Sequence, residues 1–294
     1  MGKIYKTVTT TDKMKLSIIT INFNNAEGLR KTIESVVSQT FTDFEYIIID
    51  GGSTDGSVDI IKQYADKITY WVSEPDKGIY NAMNKGILQA KGEYLNFMNS
   101  GDCFYSPTVL TEIFEKYNFT ESVVTGNRIE VLWEKTERFS EGIKVLNNGK
   151  ITLLSLLKDT IHHQCSFIKR ELFEKYGLYD ESYKIVSDWI FFLKTIGIYG
   201  EKINYINEIV AIVDYSGISI IQDKERDTER LRAIDEFVPK SILNDYEFYQ
   251  DIEMKYQYLH KYIFKYKFTF YIAQFINKTT RLLNKPFKLL KKKI

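Results

Sequence analysis

At 294 residues, with 44% hydrophobic and 27% charged side chains, the chain has the size of one large globular domain or two small ones, and its composition is neither collagen-like nor that of a disordered protein. No uninterrupted apolar run of about 18 residues occurs and the start MGKIYKTVTTTDKMK lacks an apolar centre, so neither a membrane span nor an export signal is expected. The net charge of +1 hides an asymmetry: all 39 Asp/Glu precede Lys255, whereas 11 of the 40 Lys/Arg lie between Lys255 and Ile294, so an acidic body carries a basic tail suited to an anionic surface.

In chain order, KLSIITI (15–21) is a β-branched run of the buried-strand type, and Leu29, Ile33, Val36 and Val37 then repeat at helical spacing. YIIID (46–50) is a second strand and DGGSTDGS (50–57) a turn, followed by a helix whose inner face is read as Val58, Ile61 and Ala65. ITYWVS (68–73) gives a third strand. Ile79, Ala82, Met83, Gly86, Ile87 and Ala90 form the stripe of a third helix, and EYLNFM (93–98) resumes the sheet. Four βα units in series predict an α/β, Rossmann-like domain with a mostly parallel central sheet and helices on both faces. After Pro107 the order weakens: VVTGNRIEV and QCSFI read as strands, SDWIFFLKTI as a helix, NYINEIVAIVDYSGIS as one or two closing strands, and the chain from about Asp223 as mostly helical. The expected division is an extension at 1–14, the α/β domain at 15–221 and a basic helical region at 222–294. Cys103 and Cys165, with three histidines, make neither a disulfide framework nor a repeated zinc pattern, and both thiols are read as reduced and structural.

Ligands of doubly wound sheets bind at the carboxyl ends of the strands, and three such ends here are small and polar: NFNN, DGGSTDGS and NSGD. Asp50 can accept hydrogen bonds from a base or ribose while Gly51 and Gly52 admit a close approach; equally, the segment is a turn with Ser53 or Thr54 capping the next helix. It is not GxGxxG, and no P-loop lysine follows. In SEPDKGIYNAMNKG, Asp76 lies in a loop while Asn81 and Asn84 share a helix face apart from the apolar stripe, either to read a nucleotide or simply to face solvent. Asp102 of NSGD offers a hard oxygen to Mg²⁺ or Mn²⁺, which often need one or two carboxylates and take their other ligands from phosphates and water; the plain alternative is a Gly-Asp turn. Asp188 opens a helix, where it is either a general base or a favourable partner of the helix dipole. His162, His163 and Gln164 either line the same pocket or pack elsewhere.

Taken together, LSIITINFNN, SVVSQTFTDFEYIIIDGGSTDGS, EPDKGIYNAMNKGILQAKGEYLNFMNSGD and KIVSDWIFFLK resemble the family 2 glycosyltransferases over roughly Lys15 to Ser219. The resemblance implies the GT-A fold, a nucleotide-sugar donor and a Mn²⁺ or Mg²⁺ cofactor. It implies that Asn22, Asn24, Asp50, Gly51 and Ser53, with Asp76, Asn81 and Asn84, hold the nucleotide. Asp102 matches the last aspartate of the metal motif and Asp188 the catalytic base of inverting members, while Tyr80, His163, Gln164 and Trp189 are assigned to the donor or acceptor pocket. Two departures stand out: many members have an aspartate at Gly51 that contacts uracil, and the acidic run before Asp102 is here Asn99, Ser100 and Gly101. The expected reaction is inverting transfer, from a UDP-sugar by preference, to a glycan or lipid-linked acceptor in bacterial surface polysaccharide synthesis. A GDP-sugar transferase and a nucleotide-sugar-binding or assembly protein with a decayed metal motif are the alternatives. The basic, aromatic tail is expected to place a cytoplasmic protein on the inner face of the plasma membrane or to form an oligomer, rather than to bind nucleic acid.

Overall fold

The computed structural model describes residues 14–132, 136–138, 151–214, 222–265, 271–272 and 274–278. The extension before Met14, the YSGIS end of the expected closing strands and most of the lysine-rich tail lie outside the described residues.

The first strand, β1 (Leu16–Asn22), is buried along its whole length, as a central parallel strand must be. It pairs in parallel with β2 (Phe44–Asp50) on one side and β4 (Tyr94–Phe97) on the other, and β3 (Tyr70–Ser73) extends the sheet beyond β2. Helices α1 (Ala26–Val37), α2 (Ser57–Gln63) and α3 (Ile79–Gln89) make the crossovers. The register aligns Asn22 with Asp50 and Asp50 with Ser73, so three polar residues form a row at the carboxyl edge. The stripe expected for α3 is present, with Ala82, Met83, Gly86 and Ile87 buried. That of α2 is shifted: Ser57, Ile60 and Ile61 face the core, while Ala65 is exposed beyond the end of the helix in a 3₁₀ turn.

Beyond β4 the parallel order gives way to a mixed sheet. The chain continues through β5 (Cys103–Phe104), α4 (Val109–Lys116), β6 (Val123–Leu132) and β7 (Thr136–Arg138), the last paired with β6. It then forms α5 (Leu153–Lys158), β8 (Ser166–Lys169), α6 (Arg170–Tyr176), α7 (Ser187–Phe192) and β9 (Ile203–Asp214). The order across the sheet is β3-β2-β1-β4-β8-β6-β9-β5, with β8 antiparallel to both neighbours and β6 parallel to β9. Two elements differ from their sequence reading. Gln164 and Cys165 belong to a 3₁₀ turn (His163–Cys165) and not to a strand, and the helix opened by Asp188 continues past Phe192 as a π-helical turn (Leu193–Ile198).

The chain divides into compact units at 1–237 and 238–294. Helix α8 (Asp223–Phe237) belongs to the first unit because Glu229 accepts the backbone N–H groups of Lys184 (2.8 Å) and Ile185 (2.9 Å), and Glu236 accepts the Tyr183 hydroxyl (2.9 Å). The second unit contains α9 (Lys240–Lys265) and helical turns at 271–272 and 274–278, matching the helical expectation. No helix among the described residues is long and apolar enough to cross a membrane.

Candidate active site

The carboxyl edge of β1, β2 and β4 opens onto a cleft of about 910 Å³. At its first end Asp50 is completely buried, and its carboxylate accepts the Asn22 amide (2.7 Å), the Ser53 hydroxyl (2.6 Å) and N–H (2.9 Å), and the Ser73 hydroxyl (2.6 Å). Burial pushes its pKa up, but the bonds from Ser53, Ser73 and Asn22 outweigh this and hold it below the usual carboxylate range. Asp50 is thus saturated by the protein and fastens the loop instead of facing the cleft. Asn24 does similar work, accepting the Thr54 N–H (2.9 Å) and donating its own N–H to Ser53 (2.8 Å). Of the residues expected to hold the nucleotide, those that border the cleft are Asn22, Gly51 and Asp76, with Phe23 and Asn25 beside them. A Cβ on Gly51 would lie 2.5 Å from Asp76 Oδ2, so the Asp76 carboxylate already fills the space that a side chain at 51 needs.

The NSGD turn is set by α1. Thr32 accepts the Gly101 N–H (3.0 Å) and donates to the Asp102 carbonyl (2.6 Å), and Gly101 takes φ +104°, a conformation costly for any other residue. An aspartate at 101 would be strained and would lie close to Asp214, whose Oδ2 is 3.4 Å from the Cβ position, which gives a physical reason why position 101 is not acidic. Asp102 itself is 6% exposed; its Oδ1 accepts the Asp214 N–H (2.9 Å) and its Oδ2 the Gln164 amide (3.1 Å). Burial, with the Asp214 carboxylate adding to it, raises its pKa to about 6 despite these bonds.

Asp188 stands at the start of α7. Its Oδ1 lies 2.8 Å from the Tyr80 hydroxyl of α3, whose one proton it shares with the Ile185 carbonyl (2.7 Å), and its Oδ2 takes His163 Nδ1 (2.9 Å). Burial works to raise its pKa, but the bonds from His163, Tyr80 and the Trp189 backbone prevail and the carboxyl is held below its ordinary value. The other His163 nitrogen, Nε2, faces the Asn99 amide at 3.0 Å, the arrangement of a neutral ring that donates through Nδ1. His163 and Gln164, adjacent on one 3₁₀ turn, therefore tie Asp188 and Asp102 into one constellation. Trp189 is buried in the cleft wall and donates Nε1–H to the Leu156 carbonyl (2.7 Å).

Asn81 and Asn84 are turned elsewhere. Asn84 bonds the Tyr179 carbonyl (2.9 Å) and N–H (3.0 Å), and both amides reach Glu181 (3.0 and 2.9 Å). They brace the segment before α7 against α3, so their polar face meets protein and not a ligand. Sequence reasoning missed Asp214, Arg128 and Arg230, which also border the cleft. The signal available was charge inside strand-like runs, Arg128 and Glu130 in VVTGNRIEV and Asp214 in NYINEIVAIVDYSGIS.

The model of the glycosyl transferase family 2 matches residues 17–177. The chain belongs to this family. It is 35% identical over 188 residues to an uncharacterized glycosyltransferase of Mycobacterium tuberculosis, covering 63% of this chain and 70% of that protein. It is 31% identical over 217 residues to a PGL/p-HBAD biosynthesis glycosyltransferase of Mycobacterium bovis, covering 71% and 81%. Among solved structures, the 1–349 fragment of S. aureus TarS in complex with UDP is similar over 68% of this chain and 60% of the fragment, with TM-score 0.56 and 19% identity. Of a longer TarS chain only 37% is covered. The mannosyltransferase PcManGT from Pyrobaculum calidifontis, in complex with GDP-Man and Mn²⁺, is similar over 69% of this chain and 57% of that one, with TM-score 0.53 and 17% identity. These likenesses establish the GT-A-like mixed α/β fold of this family 2 enzyme.

The family implies a divalent cation. Among the described residues no group of three or more His, Cys, Asp or Glu could hold a metal ion. What the cleft offers is a pair of carboxylates, Asp102 and Asp214, with a buried Asn99 Oδ1 that has no hydrogen-bond partner. Each carboxylate has about four acceptor sites, so the bonds Asp102 already makes leave capacity for an ion. This donor set fits a Mg²⁺- or Mn²⁺-type ion whose shell is completed by substrate phosphates and water.

Proposed function

We propose that this glycosyltransferase moves a sugar, with inversion, from a nucleotide-sugar donor to a hydroxyl of a glycan or lipid-linked acceptor in bacterial surface polysaccharide synthesis. The observation that carries this reading is the pairing of Asp188, oriented by Tyr80 and His163, with Asp102 in one cleft. Asp188 accepts the proton of the acceptor hydroxyl, whose oxygen bonds to the anomeric carbon as the bond to the diphosphate breaks and its electron pair leaves with the nucleotide. One displacement inverts the anomeric centre. Asp102 and Asp214 would hold the divalent ion, which when bound neutralises charge developing on the leaving diphosphate. The nucleotide would lie at the β1–β2 edge beside Asn22, Gly51 and Asp76, with the carboxylate at the base supplied by Asp76 and not by residue 51.

A UDP-sugar is favoured by the resemblance. A GDP-sugar is the second reading, favoured by Gly51 where many members carry the uracil-contacting aspartate. Release of nucleotide from a panel of UDP- and GDP-sugars with Mn²⁺ tests both. Turnover with neither, under conditions where UDP or GDP binds, would favour a binding or assembly role.

The second unit supports peripheral membrane binding through the exposed Phe248, Met254, Tyr256 and Leu259 of α9 and the basic tail. Basic groups near an anionic surface contribute on the order of 1 kcal/mol each. The full chain is expected to sediment with anionic vesicles and not with neutral ones; equal sedimentation with both removes the electrostatic part of this reading.

A further inference from the structure

The 3₁₀ turn that joins the two acidic residues is directly preceded by a second histidine, His162, which also borders the cleft. Its main chain is fixed, the carbonyl accepting the Ser166 hydroxyl (2.7 Å) and the Cys165 N–H (3.3 Å). Its ring is uncommitted. The residue is half-buried, neither ring nitrogen has a hydrogen-bond partner among the described residues, and neither is sealed from solvent. The polar side chains around Asp188 are all spent on the protein. Tyr80 bonds the Ile185 carbonyl and Asp188, His163 bonds Asp188 and Asn99, Gln164 bonds Asp102, and Trp189 bonds the Leu156 carbonyl. Of two adjacent histidines, one therefore orients the base and the other keeps both nitrogens for a ligand.

Burial, with the Arg128 and Arg230 charges adding to it, holds the His162 pKa well below its ordinary value, so the ring is neutral. A neutral imidazole presents one N–H and one lone pair, the complement of a hydroxyl, which likewise donates and accepts. An ionised carboxylate would use only the first and a cation only the second. In an in-line displacement the leaving diphosphate and the incoming oxygen flank the anomeric carbon, so the transferred sugar lies between the metal carboxylates and the base. Gln164 holds Asp102 and His163 holds Asp188, so the turn runs along that interval with His162 at its start. We propose that His162 binds a sugar hydroxyl, by position one on the transferred sugar, and thereby selects which sugar the enzyme accepts. The proposal rests on the transferase reading of the cleft and adds a specificity contact to its donor. A sugar that displaced water from the ring without offering a hydroxyl would leave the imidazole unpaired, which is how such a site rejects a deoxy analogue. A hydroxyl of the acceptor offers the same chemistry, and the experiment separates the two sources.

The full-length protein with Mn²⁺ is treated at pH 7 with diethyl pyrocarbonate, which acylates neutral imidazole nitrogens, and each histidine is followed by peptide mass spectrometry. His162 is expected to react at least fivefold faster than His163, whose ring is bonded at both nitrogens. UDP should change the His162 rate less than twofold, whereas UDP-glucose or UDP-N-acetylglucosamine, or GDP-mannose judged against GDP, should slow it at least fivefold. His162→Phe keeps a ring but loses both nitrogens, and His162→Gln restores a donor and an acceptor. By calorimetry the first is expected to weaken the protecting nucleotide sugar at least fivefold with nucleotide affinity within twofold, and the second to regain part of that loss. An unreactive His162, or full protection by the nucleotide alone, overturns the proposal, as does an equal loss of nucleotide and nucleotide-sugar affinity in both variants. Protection that appears only when methyl glucoside is added to the UDP complex moves the contact to the acceptor and overturns the donor assignment. Failure of both UDP and GDP to bind the unaltered protein brings down the reading of the cleft itself, a result distinct from a nucleotide sugar that binds without protecting His162, which overturns this proposal alone.

Discussion

Replacing the proposed base by its isosteric amide, Asp188→Asn, puts the greatest strain on this reasoning. The carboxylate receives the Tyr80 hydroxyl on Oδ1 and His163 Nδ1 on Oδ2, both as donors. The new amide keeps one acceptor and presents an N–H₂ to the other partner. If that partner is His163, the ring must shift its proton to Nε2 and Asn99 must turn its unpartnered Oδ1 to meet it, which the local geometry allows. Exchanging two charge-assisted bonds for neutral ones costs about 1–2 kcal/mol, so the fold survives with a fall in Tm of roughly 2–8 °C. The catalytic loss is far larger, because a positioned general base contributes about 10²–10⁴ in rate, or roughly 3–5 kcal/mol of barrier. The expected result is a fall in kcat of at least 100-fold, measured by nucleotide release with saturating donor and acceptor, with UDP affinity by calorimetry within twofold of the original. A kcat reduced less than about tenfold in a folded protein with normal UDP affinity would remove Asp188 from the base role.

Three further outcomes follow from the same geometry. In the metal-free protein, folded Asp102 holds its proton up to about pH 6 whereas the unfolded chain releases it near 3.9, so ionised Asp102 is a penalty fully present above pH 6 and relieved as the pH falls. Asp102→Asn should therefore raise the metal-free Tm at pH 8, by up to about 3 kcal/mol of stability, with Gln164 turning its unpartnered Oε1 to the new amide, while Mn²⁺-dependent UDP binding is lost; a lower Tm refutes the first part and unchanged metal dependence the second. His163→Ala removes the leading contact that lowers the Asp188 pKa against burial, so the acid limb of the kcat profile should move to higher pH, and an unmoved limb would show that His163 does not tune the base. Gly51→Ala places a Cβ 2.5 Å from Asp76 Oδ2 and should weaken UDP at least fivefold with little change in Tm; unaltered affinity would detach Asp76 from the nucleotide.

The first half of the fold was legible because its signals are local. Buried parallel strands such as Leu16–Asn22 and Phe44–Asp50 read as apolar runs, and the α3 stripe follows from helical spacing alone. The phase of α2 was misread because a helix of seven residues gives too few turns to fix which face is inward. The second half depended on contacts between distant segments: the antiparallel insertion of β8 between β4 and β6, and the attachment of α8 through Glu229. The same limit governs the site. Asp102 and Asp188 were visible from motif order, but polarity alone does not say whether a side chain meets a ligand or protein. Asn84 and Asp50 were therefore assigned to the nucleotide although Tyr179, Glu181, Ser53 and Ser73 already saturate them, and Arg128 was passed over as an ordinary strand residue.

The two acidic residues that motif order did find are not interchangeable, and one short turn distinguishes them. His163 gives Asp188 a hydrogen bond to which Tyr80 adds another, and the carboxylate stays ionised in spite of burial. Gln164, the next residue, gives Asp102 a neutral amide, while Asp214 adds an N–H but also a second carboxylate, and burial there wins. The same cleft thus pushes one carboxyl down and the other up, a divergence that assigns roles when two acids share a site. A group that the protein's own donors keep ionised is ready to take a proton from a hydroxyl. A group whose ionisation is opposed by burial and a neighbouring carboxylate gains most from a cation, and the diphosphate that accompanies a divalent ion supplies the ligands this pair lacks. Below about pH 6, donor binding is therefore expected to cost Asp102 its proton but to leave the protonation of Asp188 unchanged.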